Sequence, residues 1–416
     1  MTHPTPAFRA TTATAANGAW RVAICGGGCA GMSIAAELVA RVPGAQISVF
    51  DAASGPSDAK TWCSWSVGTH RFEDAVSTRW DRARVRGGGF DTTIDARQYP
   101  YACIRSGDFF RVATEQLGGA CTFQWSTQVM RIEEHANAVE VVTADADGRE
   151  RADNFDFVFD GRTVAKRTVL GDHPQSSSEP RLIQHFGGFE LEVPVGTVSL
   201  DTATLMDFDV DQADGTHFMY VLPLSERSIL VESTFMTPAG YTPVDYEHNV
   251  LSYVSREFGI KSPPILYRES GALPMTLAPL GPPSSRRVWA IGTRAGIGRA
   301  SSGYAFDAIQ RDSRRVVDAL LAGRHRPRVP RSPVLNLLDR VLLSWLEADS
   351  TAAPRIFGQL FAKCPPESLI RFLSDQPTPR DLWSTMWAMP KMRTMMHTSL
   401  TPSAWPRPTK PLPVTA

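Results

Sequence analysis

Arg21-Val-Ala-Ile-Cys25-Gly26-Gly-Gly28-Cys-Ala-Gly31 decides the fold. A short apolar run ends in glycines at GxGxxG spacing, and Met32-Ser-Ile-Ala-Ala-Glu-Leu-Val-Ala40 follows with helical periodicity. In such a turn Gly26 permits the sharp bend, Gly28 lets backbone approach a pyrophosphate, and Gly31 allows the helix to pack closely on the strand. Unpaired N–H groups at the helix start then hold the anion. The glycines alone are a weak signal. A second predicted strand, Gln46-Ile-Ser-Val-Phe50, ends in Asp51 about 20 residues after the motif, where an acid can bind a ribose hydroxyl. Strand, glycines, helix, strand and acid together predict a Rossmann-like dinucleotide domain, with NAD and FAD both open.

Two later runs have the same form: Phe155-Asp-Phe-Val-Phe-Asp160-Gly161-Arg162 and Arg287-Val-Trp-Ala-Ile-Gly292-Thr-Arg-Ala-Gly296. A nucleotide domain built from discontinuous pieces, with a substrate region inserted between them, resembles the flavoprotein hydroxylase and reductase superfamily. That resemblance implies cofactor contacts at Asp160, Gly161, Gly292 and Gly296. Arg105 fits it as a cofactor-contacting arginine, and equally fits a plain surface role. Thr293 departs from the aspartate those hydroxylases usually carry there, which argues against ordinary hydroxylase chemistry.

Composition bounds the partners. At 416 residues the chain is too long for most single cores, and its 43% apolar content is that of a globular protein. Lys plus Arg number 43 and Asp plus Glu 43, so no net charge steers it to nucleic acid. The six cysteines lack CxxC pairing and the density of a secreted scaffold, so reduced thiols in a cytoplasmic protein are expected. Nine histidines show no metal-ligand spacing, and no metal is expected. The opening residues lack the features of a signal peptide, and no apolar stretch approaches the ~20 residues of a membrane helix, so any membrane contact is expected to be peripheral.

One residue breaks the pattern of a core strand. Glu232 stands in Ser228-Ile-Leu-Val-Glu-Ser-Thr234, just after Tyr220-Val-Leu-Pro-Leu-Ser225. A carboxyl desolvated there has its pKa raised and can stay protonated as a general acid. The alternative is a structural glutamate satisfied by Arg227 or by a neighbouring strand.

Lys60-Thr-Trp62-Cys63-Ser-Trp65 resembles the Arg-Thr-Trp-Cys-Phe-Trp motif of the flavin-dependent lycopene cyclases of bacteria and plants. Tyr99-Pro-Tyr101, Gln184-His-Phe186-Gly-Gly188, Met206-Asp-Phe-Asp209, Phe218-Met-Tyr220-Val-Leu222-Pro223, Glu269-Ser-Gly271-Ala-Leu273-Pro274 and Gly303-Tyr304 follow in that family's order, and Glu232 falls at its catalytic acid. The resemblance runs from Val22 to about Met392. Ser64 and Arg299-Ala-Ser-Ser302 depart from it, which leaves the substrate more open than the reaction class.

The resemblance implies an FAD-dependent, redox-neutral isomerase. Glu232 would protonate an end of lycopene or a related polyene, reduced FAD would stabilise the cation, and NADH or NADPH would serve only to reduce the flavin. Another polyprenyl cyclase, a flavin monooxygenase and a prenyl reductase remain alternatives. Trp62, Trp65, Phe218, Tyr220 and Phe235 can present π faces to a cation or simply pack a core. Gly303 and Tyr304 join them as expected substrate contacts. Asp207 and Asp209 can orient Glu232 or accept the final proton, or can be solvated strand-end acids. The implied partners are a lipophilic polyene or polyprenyl substrate, the membrane surface and other carotenoid-pathway enzymes.

The expected architecture is α/β. A Rossmann-like FAD-binding domain comprises 20–170 and 265–325, with substrate-side excursions at about 60–105. An inserted β-sheet substrate domain spans 171–264, and a helical C-terminal region 326–400. Disorder is expected at 1–19 and 401–416. Within the helical region, Val334 to Leu346 is amphipathic with Leu335, Leu338, Leu342 and Trp345 on one face. Basic residues from Arg324 to Arg331 and from Lys391 to Arg393 are the expected neighbours of a bilayer-facing surface.

Overall fold

Strand Arg21–Cys25 pairs in parallel with Gln46–Phe50 on one side and with Phe157–Asp160 on the other, which brings three of the predicted strands together. In this computed structural model, residues 19–162, 182–238, 244–277, 280–281, 283–327 and 331–389 are described. Of the disordered ends expected at 1–19 and 401–416, residues 1–18 and 401–416 lie outside them, as does the basic run Lys391 to Arg393.

The parallel sheet has five strands in the order Val288–Ala290, Phe157–Asp160, Arg21–Cys25, Gln46–Phe50, Cys121–Gln124. Its strands read as near-continuous apolar runs because both faces are covered. Helices Cys29–Arg41 and Phe306–Leu321 pack against one another, and a three-stranded antiparallel meander, Gln128–Glu134, Val139–Ala144 and Glu150–Phe155, buries Val139 and Val141 with Phe50 and Val158.

The second large sheet has seven strands, ordered Ile265–Met275, Leu182–Glu192, Ser228–Pro238, Thr216–Ser225, Thr202–Asp207, Arg82–Gly87, Phe90–Asp95. All neighbours are antiparallel except Thr202–Asp207 with Arg82–Gly87. This corrects one expected boundary. Ile265–Met275, placed with the nucleotide lobe, instead pairs along its length with Leu182–Glu192 and forms an edge of the inserted sheet. The hydrogen-bond ladder captures the strand before the chain returns to the parallel sheet at Val288.

Period-2 alternation gives this sheet two apolar faces. Odd-numbered residues of the central strands, among them Met219, Val221, Ile229 and Val231, pack under helix Tyr246–Phe258. Even-numbered Phe218, Leu222, Leu230 and Met236 join a larger core with the C-terminal helices Pro333–Ala348, Ala353–Lys363 and Pro366–Leu373. Helix Ala353–Lys363 sits so close on the far strands that a Cβ on Gly358 would lie 2.6 Å from the Phe90 ring. A small three-stranded sheet, Thr61–Trp65, Tyr101–Arg105 and Val76–Trp80, completes the fold near the junction of the two lobes.

Candidate active site

A single cavity of about 670 Å³ is lined at once by the glycine turn and by the even-numbered face of the seven-stranded sheet. Gly26, Gly28, Gly31, Gly161, Arg162, Gly292 and Thr293 contribute from the parallel sheet, and Phe218, Tyr220 and Glu232 from the mixed one.

The glycine turn has the geometry its spacing predicts. Gly26 has a φ of +105°, and a Cβ there would lie 2.9 Å from the carbonyl oxygen of Gly161. A Cβ on Gly31 would lie 2.0 Å from the carbonyl oxygen of Gly26, so only glycine lets helix Cys29–Arg41 approach. A Cβ on Gly28 would meet nothing within 4 Å; it would project into open space at the cavity wall. The helix start carries no side-chain cap, leaving its first N–H groups for a ligand. Asp51 accepts hydrogen bonds from the amides of Gly27 (2.7 Å) and Ala53 (2.8 Å), which anchor its carboxylate beside the turn. These features fit a dinucleotide with its pyrophosphate at Gly28.

The other expected cofactor residues divide. Gly161 and Gly292 line the cavity, whereas Gly296, with φ +72°, ends the short helical turn Gly292–Ala295 and does not. Asp160 is buried and held by Arg162 and Arg294, with Nη2 and Nε 2.9 and 3.0 Å from its Oδ2. It therefore positions the cavity-lining Arg162 without itself reaching the cavity. Arg105 is not in the lining either; it pairs with Glu190 and stacks 4.3 Å over the Tyr267 ring.

Glu232 sits in the middle of strand Ser228–Pro238 with its side chain on the cavity face. The register across four strands is Glu269, Gly188, Glu232, Tyr220. Gly188 has no side chain to separate its neighbours; a Cβ there would lie 2.9 Å from Glu232 Cγ and 3.0 Å from Glu269 Cγ. The two carboxyls face one another over that gap and act on each other electrostatically. Burial first, and then the charge of Glu269, push the Glu232 carboxyl well above the usual carboxylate range, while Lys60 opposes the rise. The shift favours the protonated form of Glu232. Arg227, the partner considered for a structural glutamate, lies on the turn between the strands and is not what holds it.

Above this row three tyrosines meet. The Tyr101 hydroxyl is 2.9 Å from that of Tyr220 and 2.8 Å from that of Tyr304. Burial pushes all three hydroxyls up in pKa, so they stay neutral. Trp62, Phe218, Tyr220, Gly303 and Tyr304 all line the cavity as expected.

Four expected residues lie elsewhere. Asp207 pairs opposite Met219 and so points to the helix-covered face, where Arg86 (2.9 Å) and the Tyr253 hydroxyl (2.7 Å) bind its carboxylate. Asp209 is on the surface, 3.2 Å from the same Arg86. Neither can orient Glu232 or take a proton from the cavity; both belong to a salt-bridge cluster under helix Tyr246–Phe258. Phe235 shares the odd parity and lies between the rings of His185 and His217, with centroids 5.4 and 4.0 Å away. Trp65 is 1% exposed and packs on Tyr101 behind the wall. Glu269, which the sequence marks only within a family-like block, is brought beside Glu232 by strand pairing. It is legible only once the pairing of three strands through Gly188 is known.

The described residues hold one group with metal-ligand proximity, Glu133, His135 and Glu140 on the meander, whose two acids are already paired with Arg131.

A Rossmann-like parallel sheet, a meander and a cavity running from the glycine turn to an inserted sheet define the fold of the flavoprotein oxidoreductases. Solved structures agree. A flavoprotein/dehydrogenase from Cytophaga hutchinsonii superposes with a TM-score of 0.60 at 12% identity, covering 91% of this chain and 98% of that one. A geranylgeranyl bacteriochlorophyll reductase-like protein from Thermoplasma acidophilum gives 0.58 at 10% identity, over 92% and 99%. The family model for lycopene cyclase protein matches residues 21–399, and the chain belongs to that family. Among curated relatives, the lycopene beta-cyclase of Pantoea ananas is 28% identical over 291 residues, 68% of this chain and 69% of that protein. The lycopene beta-cyclase of a Paracoccus species is 25% identical over 316 residues, 68% and 70%.

Proposed function

We propose that this protein cyclises the ψ-ends of lycopene or a close polyene to β-rings, without net redox change, with Glu232 as the acid. The observation that carries this is a carboxyl, held well above its usual range by desolvation, on the wall of the same apolar cavity that the dinucleotide turn lines. The residues around Gly28 would hold FAD. Bound and reduced, the flavin supplies negative charge to stabilise a cation.

The chain's own residues account for the remaining steps. Glu232 delivers its proton to the terminal trisubstituted alkene, and a neighbouring double bond attacks the tertiary cation so formed. Trp62, Tyr220 and Tyr304 turn aromatic rings to the cavity, and their negative faces favour a cation within ~6 Å. Apolar neighbours such as Leu342 and Phe361 exclude water that would trap the cation as an alcohol. A ring proton is then lost to carboxylate, so substrate and product are isomers. NADH or NADPH would reduce the flavin once and would not be consumed in each turnover.

An anaerobic assay with FAD, one reducing equivalent and lycopene in liposomes tests the reading. Many turnovers to a cyclic product of unchanged mass are expected. Product differing by two hydrogens or one oxygen would sink it in favour of a reductase or monooxygenase. No conversion by a flavin-loaded enzyme would point to another polyprenyl substrate.

Such a substrate resides in lipid, and the partner we propose is a membrane surface, met peripherally from the cytoplasm. No described helix is long and apolar enough to cross a bilayer. Helix Pro379–Ala388 lends Thr385 and Met386 to the cavity while exposing Trp383 (63%) and Trp387 (71%) outward. Helix Pro333–Ala348 likewise lends Leu338 and Leu342 and exposes Val334 and Leu337. Exposed tryptophans beside an apolar cavity suit the headgroup boundary. Trp383→Ser with Trp387→Ser should lower partition onto anionic vesicles by about tenfold or more, read by co-sedimentation, with flavin binding unchanged. Equal sedimentation of the variant would place the membrane face elsewhere.

A further inference from the structure

We propose that Glu269 is the proton-sharing partner of Glu232: the two carboxyls, meeting over Gly188, hold one proton between them and keep Glu232 charged with it until substrate arrives. The assignment rests on the reading of Glu232 as the acid, and it gives Glu269 a positioning role through that residue.

Geometry carries the argument. The two glutamates come from strands that are not neighbours, each paired to Leu182–Glu192 at Gly188. Any side chain at 188 would part them, since its Cβ alone would fall 2.9 and 3.0 Å from their Cγ atoms. Glu269 is 7% exposed, and its Oε1 has no hydrogen-bond partner. A buried, unpartnered carboxylate oxygen beside a second carboxyl is the arrangement in which like charges cannot both form and one proton is retained.

The surrounding charges fit that count. Lys60, at the start of the small sheet, lines the cavity and influences Glu232; its ammonium donates to the Ser270 carbonyl at 2.9 Å. The other titratable groups that act on Glu232 or are influenced by it are Cys63 and Cys103 from the small sheet, Tyr220 from the adjoining strand, and Tyr304 from the loop before helix Phe306–Leu321. The tyrosines are neutral, as is Cys63, whose thiol burial raises. A hydrogen bond from Cys63 lowers the Cys103 thiol, and any charge there holds the proton on the pair more firmly; the two carboxyls and the Lys60 ammonium by themselves balance when a single proton remains on the pair. After Glu232 protonates the alkene, the pair is doubly negative and faces a cation. Return of the ring proton to the same pair restores the starting state, so hydrogen atoms and charge balance with no external base.

The test is an infrared pH titration of the full-length flavin-loaded protein, following the protonated glutamic acid C=O stretch that Glu232→Gln removes. The wild type is expected to keep this band above neutral pH. In Glu269→Gln its midpoint should fall by about one pH unit or more, because the like charge is gone. The alkaline limb of the cyclisation rate should move the same way, with activity recovering at lower pH. A purely structural glutamate would lower stability without moving either midpoint. An unmoved band in Glu269→Gln, or no protonated glutamic acid above neutral pH in the wild type, overturns the proposal. Should Glu269→Gln not fold, Glu269→Asp serves: it withdraws the carboxyl by one methylene, and an unmoved midpoint there is equally fatal. The titration needs no lycopene, so a wrong substrate and a wrong dyad give different results.

Discussion

Glu232→Gln should lower cyclisation by about 10²–10⁴-fold while leaving the cofactor bound. The amide matches the carboxyl in size and faces Glu269 across the same Gly188 gap, so the wall of the cavity keeps its shape. What it loses is a proton acidic enough to reach an unactivated alkene. Bound-flavin absorbance and lycopene turnover, measured on the same preparation, separate the two effects. Near-normal turnover with normal flavin would remove Glu232 from the mechanism, and lost flavin would mean that the substitution acted on the fold.

The second large effect comes from the glycine turn, where two neighbouring glycines should fail in opposite ways. In Gly31→Ala the new Cβ would stand 2.0 Å from the Gly26 carbonyl oxygen, and the listener to that clash is backbone, which cannot swing aside. The turn must open and helix Cys29–Arg41 must lift from its strand, a destabilisation of roughly 4 kcal/mol or more. Gly28→Ala meets nothing and keeps an extended backbone that alanine adopts, with φ −75° and ψ −170°. Its stability should stay within about 0.5 kcal/mol of the parent. Its flavin should nevertheless be lost on gel filtration, because the methyl occupies the space at the head of the uncapped helix. Retained flavin in Gly28→Ala would move the pyrophosphate site away from this turn.

The nucleotide lobe was legible because its signal is local: glycine spacing, a helical period and a terminal acid lie within one short segment, and each residue's role follows from backbone geometry. Glu232 was legible for a similar reason, as a carboxylate among residues that otherwise shun water. The inserted sheet was harder. Both of its faces are apolar, so alternation along Thr216–Ser225 and Ser228–Pro238 cannot say which parity meets the cavity. Asp207 and Phe235 went to the wrong face for that reason, although each stands near Glu232 in the sequence. Ile265–Met275 was misplaced because strand pairing is not written in a strand's own composition. Glu269 needed both pieces of missing information, parity and register.

The order of strands in the mixed sheet also bears on how the molecule is made. Arg82–Gly87 finds its ladder partner in Thr202–Asp207, and the helix that covers the neighbouring strand, Ala353–Lys363, comes later still. During ribosomal synthesis the early hairpin must therefore wait, with an open edge, until much of the chain has emerged. The helices between Pro333 and Ala388 that close over the cavity are translated after every described strand of both large sheets. A nascent chain thus exposes its greasy interior until those helices emerge, a stage at which chaperone capture competes with aggregation.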